Sequence, residues 1–164
     1  STVVATVITA LQAESGGSSY IYARRIGSIQ RAGATILAFT QVGDEFLLSA
    51  SVHDVGVSNQ GATAVLYPLS VPAGIKVRAL FATYFSHASA NVSLWITSPD
   101  QTDQTADSAN GRASLTNDVA NQAASAHFIV RTDTSRQIRI ISNGSSTSVQ
   151  VGTYGYIDTR GRDA

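Results

Sequence analysis

The sequence predicts an all-β protein, an antiparallel β-sandwich that is jelly-roll-like and built from roughly ten short strands. Three observations predict this fold. Apolar and β-branched residues alternate with polar ones along most of the chain, as is typical of strands. Gly, Pro and Asn turn signals interrupt these stretches at near-regular spacing, and helical periodicity is almost absent. This pattern is typical of a sandwich, a jelly roll or a barrel, of which we expect the sandwich.

The alternating stretches define the expected strands in chain order. Residues 2–9 alternate Val with Thr, and residues 75–86 (IKVRALFATYFS) form the longest apolar stretch. Pro72-Ala73-Gly74 predicts a turn before it, and Asn143-Gly144 is a strong hairpin signal. The expected strands cover residues 2–9, 20–29, 36–40, 45–48, 51–57, 62–71, 75–86, 90–97, 126–131, 137–142 and 148–157.

We expect a single domain over residues 1–164, because this length is ordinary for one domain with its own core. The first three stretches are less regular, so residues 1–48 are expected to form an N-terminal hairpin or arm that packs on a sandwich of residues 51–157. Residues 98–125 are rich in Asp, Gln, Asn, Ser and Ala. They predict a long surface loop with a short strand near residues 112–115, and such loops are often functional.

The charge composition argues against electrostatic partners. Only 13% of residues are charged, and eleven basic residues balance eleven acidic ones. We therefore expect no nucleic-acid partner, and the absence of a long apolar run predicts no membrane insertion. Ten of the eleven basic residues are Arg, a side chain that suits interfaces, although a compositional bias explains the ratio equally well. The few charges available to protect edge strands also favour a closed homo-oligomer.

Catalytic and cofactor motifs are missing from the sequence. There is no Cys, no nucleotide-binding glycine loop and no nucleophile elbow. His53, His87 and His127 have no metal-ligand spacing. We therefore expect no catalytic residue, no metal and no cofactor, and we interpret the protein as a non-enzyme. A small glycan hydrolase or esterase is a less favoured hypothesis than a binding or structural module.

The candidate ligand-binding residues lie in and before the loop of residues 99–124. Trp95 alternates with Leu94 and Ile96, so it either fills the core, which we favour, or offers a stacking platform to a sugar ring. The loop is polar and suited to hydroxyl-rich ligands. Its carboxylates could hold a calcium ion, but they lack the EF-hand pattern, so we expect them to be solvated. The candidate residues are Trp95, Asp100, Gln101, Asp103, Asp107 and Asn110.

Several ordered sequence blocks resemble a known family. They are YARRIGSI at residues 22–29, FTQVGDEF at 39–46, VPAGIKV at 71–77, SPD at 98–100, RTDTSRQIR at 131–139 and GYIDTRGRD at 155–163. Together they resemble the C-terminal domains of tailed-bacteriophage and prophage tail-fibre or tail-associated proteins. The resemblance runs from about residue 20 to the end, except in the long loop.

The resemblance implies a virion protein, made in the bacterial host cytoplasm and placed on a phage tail or fibre. It implies a trimer that contacts other virion proteins and binds a polysaccharide or protein of the bacterial surface without catalysis. The alternative is a structural module that trimerises or caps the fibre. The matched charged residues are expected to pack subunits or domains rather than bind ligand. They are Arg24, Arg25, Asp44, Asp158, Arg160 and Arg162.

Overall fold

The computed structural model describes Ala13 and residues 27–160. The expected strand of residues 2–9 and most of that of residues 20–29 lie outside the described residues. Within 27–160 every strand pair is antiparallel. The described strands are β1 (Arg31–Ala32), β2 (Thr35–Ile36), β3 (Phe39–Val42), β4 (Glu45–Gln60), β5 (Val65–Pro68), β6 (Arg78–Ser86), β7 (Val92–Thr97), β8 (Leu115–Asn117), β9 (Ala123–Arg131), β10 (Gln137–Ser142) and β11 (Thr147–Ile157).

Two sheets face each other in a jelly roll. One sheet has five strands in the order β3-β4-β11-β6-β9, and the other has four in the order β5-β10-β7-β8. From β4 to β11 the chain crosses repeatedly between the sheets, which gives the eight-stranded double Greek key of a jelly roll. The predicted all-β antiparallel sandwich is therefore confirmed.

The core lies between the inner faces of the two sheets. In β6 the inward residues Phe81 and Phe85 are fully buried, and Leu94 and Ile140 face them from the four-stranded sheet. Burying one such side chain stabilises the fold by about 1.5–3 kcal/mol. Phe46 and Tyr156 stack with ring centroids 4.9 Å apart, which extends the core to one end of the sandwich.

Several strands differ in extent from the sequence prediction. The expected strands of residues 45–48 and 51–57 are one strand, β4, because it follows β11 through register shifts that absorb the irregular middle. β5 is only four residues long and ends at Pro68, which has no N–H to continue an edge ladder. The short strand expected near residues 112–115 is β8, slightly later in the chain.

The N-terminal part of the described chain has two different roles. β1 and β2 form a separate two-stranded hairpin around Gly33, whose φ of +59° is a left-handed turn conformation. β3, by contrast, belongs to the five-stranded sheet, where it pairs with β4. Since β4 itself runs through residues 48–51, the expected boundary between arm and sandwich falls inside a strand.

Candidate ligand-binding site

The acidic tip of the predicted binding loop is held by its own hydrogen bonds. Asp107 caps a short 3-10 turn, Ser108–Asn110, by accepting from the Ala109 N–H at 3.0 Å. It also accepts from the Asn110 side-chain amide and pairs with Arg112 at 3.2 Å. These contacts, the Asn110 side-chain bond first, lower the pKa of Asp107. The structure thus brings Asp107 and Asn110 together, as parts of the loop's internal framework.

The beginning of the same loop is attached to the two sheets. Asp100 pairs with Lys76 and lies 3.6 Å from the Arg131 guanidinium. The Gln101 carbonyl accepts a 2.6 Å hydrogen bond from Arg139 of β10, which also reaches the Pro99 carbonyl. Asp103 is exposed. The charged groups here mainly fasten the loop, and the role of these residues in ligand binding stays a prediction.

Trp95 lies on the outer face of the four-stranded sheet. Leu94 and Ile96 point into the core, so the alternation of β7 turns Trp95 away from it and leaves it half-buried. The favoured expectation that Trp95 fills the core is therefore wrong. Its cross-strand neighbour Ile141 also points outward and is only 3% exposed, so the outer face is covered at Ile141.

The charged residues predicted to pack domains form contacts within this chain. Arg160 reaches Asp44 at 3.4 Å and the Gly43 carbonyl at 2.7 Å. Asp158, which is 1% exposed, accepts from the Ser28 hydroxyl and the Arg160 N–H. This network fastens the end of β11 to the turn between β3 and β4. Arg24, Arg25 and Arg162 lie outside the described residues, and a role between subunits stays a prediction.

Tyr156 is buried beside this network and also contacts Ser28. Its hydroxyl donates to the Ser28 carbonyl at 2.8 Å, and its ring is fully buried. Burial and the negative charge of Asp158 raise the pKa of Tyr156 to about 12. The neutral hydroxyl is therefore the form that the folded protein favours.

An open cleft of about 230 Å³ lies at the other end of the five-stranded sheet. The end of β6, the start of β11 and three loops form it, and its described lining holds no Asp, Glu, Lys or Arg. The sequence analysis missed this cleft. The one available signal was the alternation of residues 75–86, which turns Tyr84 and Ser86 away from Phe85. The lining residues are Tyr84, Ser86, His87, Ala88, Asn121, Ser146 and Ser148.

Main-chain hydrogen bonds hold the cleft in shape. His87 accepts from the Ser89 N–H at Nδ1, 2.9 Å away, and its Nε2 lies 2.7 Å from the Ser145 carbonyl. Since Nδ1 is the acceptor, Nε2 carries the proton and donates to that carbonyl. The His87 carbonyl in turn accepts from the Asn121 N–H at 3.1 Å. Asn121 and Ser146 both have a φ near +60°, as do Asn91, Arg136 and Arg160 elsewhere among the described residues.

The outer face of the five-stranded sheet continues from this cleft. Buried residues on both sides of Tyr84 and Gln150 point inward, so these two point outward, and they are cross-strand partners. Ser86 pairs with Ser148 on the cleft side of them, and Ala82 pairs with Gly152 on the other side. We call these six residues the outer strip. Two further side-chain contacts flank it, His53 with Gln150 at 2.7 Å and His127 with Tyr154 at a ring distance of 5.3 Å.

Two further features are absent from the described residues, a metal-binding cluster and a membrane-spanning helix. Residues 27–160 contain no group of three or more His, Asp or Glu placed to hold a metal ion. The same part of the chain has no helix that is long and apolar enough to cross a membrane.

Comparison with known proteins adds no relative to this description. No protein-family model matches the chain, and none of the curated proteins matches it significantly. The resemblance to tail-fibre domains therefore stays a prediction.

Proposed function

We propose that the chain is a non-catalytic binding module for a bacterial surface polysaccharide, and that the cleft beside Tyr84 is its contact site. The observation that carries this proposal is the cleft's lining: one exposed tyrosine ring among uncharged hydroxyl and amide groups. Sugar rings present an apolar face and a rim of hydroxyls. An aromatic face with neighbouring donors and acceptors complements both.

The electrostatics of the cleft favour an uncharged ligand. The described lining residues carry no carboxylate and no basic group other than the imidazole of His87. The whole chain has a formal net charge of zero, so it gives no long-range attraction to charged glycans. We therefore expect neutral sugars to bind better than uronic or sialic acids.

The hydrogen bonding of His87 supports a binding rather than a catalytic role. A general base needs a free ring nitrogen within reach of substrate. In His87 both ring nitrogens are engaged by main-chain groups of Ser89 and Ser145. The imidazole therefore links two loops through these hydrogen bonds, which give the cleft a preformed shape.

The setting that we propose is the appendage of a tailed phage, as the sequence resemblance implies. There the module would form a homo-oligomer, a trimer by that resemblance, and would contact other virion proteins and the host surface. A jelly roll suits this work because its rigid sheets carry loops that bind ligands. The same fold serves many functions, so the fold alone does not carry the proposal.

The proposal is tested by the binding of labelled protein to polysaccharides extracted from a panel of bacterial strains. We expect saturable binding to at least one of them. Tyr84→Ala should weaken it by about tenfold or more, because stacking on an aromatic ring is worth roughly 1 kcal/mol or more. Tyr84→Phe, which keeps the ring, should retain most of the affinity. Leu66→Ala, at an exposed site on β5 away from the cleft, is the matched control. Binding that is unaffected by Tyr84→Ala would contradict the proposal.

A second candidate function is fibre assembly, which exposed apolar residues favour. Leu47 and Ile129 are 37% and 52% exposed at one end of the five-stranded sheet, and Val65 and Leu66 lie exposed on the edge strand β5. Such residues are typical of contacts between subunits. If assembly is the function, Ile129→Glu should reduce the mass measured by sedimentation, and the purified protein should bind no extracted polysaccharide.

A further inference from the structure

The outer strip is a direct extension of the cleft along the strands β6 and β11. Ser86 and Ser148 line the cleft and also form the first row of the strip. Rows of outward residues follow each other at about 6.8 Å in an antiparallel sheet. The strip thus runs for about 14 Å from the Ser86 row to the Ala82 row. A surface of this length is longer than one sugar ring.

The last row of the outer strip carries its smallest side chains. Ala82 and Gly152 form this row, and neither has a side chain beyond Cβ. Since β6 lies between β9 and β11, the ring contact of His127 with Tyr154 crosses β6 beside Ala82, while His53 lies opposite Gly152 on β4. Gly152 is therefore the floor of a shallow trough between the His53–Gln150 contact and the His127–Tyr154 contact.

The strip resembles the cleft in charge. None of its six described residues is acidic or basic, and the neighbouring outward residues in the same rows include Gly56, Ala123, Ser125 and the two histidines. Three of the four acidic and basic residues in the described strands of this sheet, Glu45, Arg78 and Arg131, lie at its far end. The fourth, Asp54 of β4, accepts hydrogen bonds from Ser70 and from the buried Thr153. The trough and the cleft therefore fit the same kind of uncharged, hydroxyl-rich ligand.

From this continuity we infer that the ligand is an extended, uncharged polysaccharide chain that lies along β6 and β11. One sugar occupies the cleft beside Tyr84, and the following sugars lie over Gly152 towards Tyr154. This inference depends on the proposed function and adds the length and direction of the ligand. It assigns the trough to glycan rather than to a second copy of the chain, because Gly152 and the polar groups around it have little apolar area to bury.

Gly152 allows a test that leaves the fold intact. A Cβ built on Gly152 meets no atom closer than 3.9 Å, the Val52 carbonyl oxygen, and a β-branched residue suits a strand. Gly152→Thr should therefore fold normally and fill the trough. Gly61→Thr is the matched control, because a Cβ there meets nothing within 4 Å and Gly61 lies outside the outer strip.

The experiment compares disaccharides with hexasaccharides of the malto, cello and manno series, with hyaluronan hexasaccharide as the charged probe. For the series that binds best, we expect the hexasaccharide to bind at least about tenfold more tightly than the disaccharide. Gly152→Thr should remove most of this gain without weakening disaccharide binding, and Gly61→Thr should change neither. Melting temperatures confirm that both variants are folded.

Three results would overturn the inference. They are equal affinity for disaccharide and hexasaccharide, tighter binding of the hyaluronan probe, and no binding of any neutral hexasaccharide at millimolar concentration. The first leaves the proposed function in place, since a single-sugar site in the cleft would still bind the polysaccharide. The proposed function fails separately, if Tyr84→Ala leaves polysaccharide binding unchanged. A change of sedimentation mass in Gly152→Thr would assign the trough to a second copy and also overturn the inference.

Discussion

The outer faces of the two sheets differ in what lies over them. On the four-stranded sheet, Arg139 bonds to loop carbonyls, and the outward Ile141 is 3% exposed. On the five-stranded sheet, the outward Tyr84 is 43% exposed and faces an open cleft. Contacts of the long polar loop therefore lie on the four-stranded sheet, while the exposed Tyr84 ring and the hydroxyl groups of the cleft lie on the five-stranded sheet. A polar loop can thus be engaged in contacts within its own domain, and the binding surface that we propose lies elsewhere.

The largest expected effect is on stability. It compares Gly152, in the outer strip, with Gly155, in the tightly packed end of the same strand. At Gly155 a Cβ would lie 2.6 Å from the Phe46 carbonyl oxygen and 3.2 Å from Leu47, whereas Gly152 has room. We expect Gly155→Ala to lower the free energy of unfolding by about 3 kcal/mol, because backbone must shift. Gly152→Ala should raise it by up to about 1 kcal/mol. Urea unfolding of both variants measures the difference, and equal stabilities would contradict it.

The next effect concerns the hydrogen bond from the buried Tyr156 to the Ser28 carbonyl. It contrasts with the more exposed hydrogen bonds that attach the loop to Arg139. The folded-state pKa of Tyr156 is raised from 10.0 to about 12, so the neutral form is favoured by folding. Its stabilising contribution is complete below pH 10 and is lost as the pH rises through 12. The loss should reach roughly 2–3 kcal/mol. In Tyr156→Phe, unfolding free energies between pH 9 and 12 should lack this part of the decline. An identical decline in the two proteins would contradict the assignment.

A smaller effect should follow from releasing the loop from the four-stranded sheet. Arg139→Ala removes the hydrogen bonds to the Gln101 and Pro99 carbonyls. We expect about 1 kcal/mol lower stability and faster limited proteolysis within residues 98–114. Polysaccharide binding should change little, because the cleft is formed by other residues. If the Arg139→Ala variant lost polysaccharide binding while remaining folded, the loop would be part of the binding surface.

The smallest effect is a pH dependence of the loop around Asp107, which acid should make easier to cleave. The pKa of Asp107 is lowered, mainly by the Asn110 side chain, so its ionised form is favoured by folding. Its contribution is present above the ordinary pKa and is lost as the pH falls through the lowered value. Proteolysis of the loop with pepsin should accelerate over that acidic range in the wild type and be fast throughout in Asp107→Asn. Asp103→Asn, at an exposed position, should behave as the wild type does.

Much of the fold was predictable because strand alternation is a local signal. Residues 137–142 were expected as a strand and form β10 with the same bounds. The merging of two expected strands into β4 was not predictable, since it depends on register shifts against β11, about 100 residues later. β9 begins three residues earlier than expected, because pairing with β6 extends to Ser86.

The candidate site was less predictable for a physical reason. The cleft combines Tyr84 and His87 with Asn121 and Ser148, which come from separate parts of the chain and have no shared motif. Trp95 illustrates the opposite problem. Its alternation with Leu94 and Ile96 showed that it lies on the other face from them, but only the packed structure shows which face is the core.

The most direct test of the account is an NMR titration of ¹⁵N-labelled protein with the polysaccharide that it binds. The account predicts that the amide signals of residues 84–88, 121 and 146–152 shift in a saturable way, while those of residues 95 and 100–110 stay in place. Shifts concentrated at Trp95 and the loop, with none at Tyr84 and Ser148, would contradict it and would place the binding surface on the four-stranded sheet.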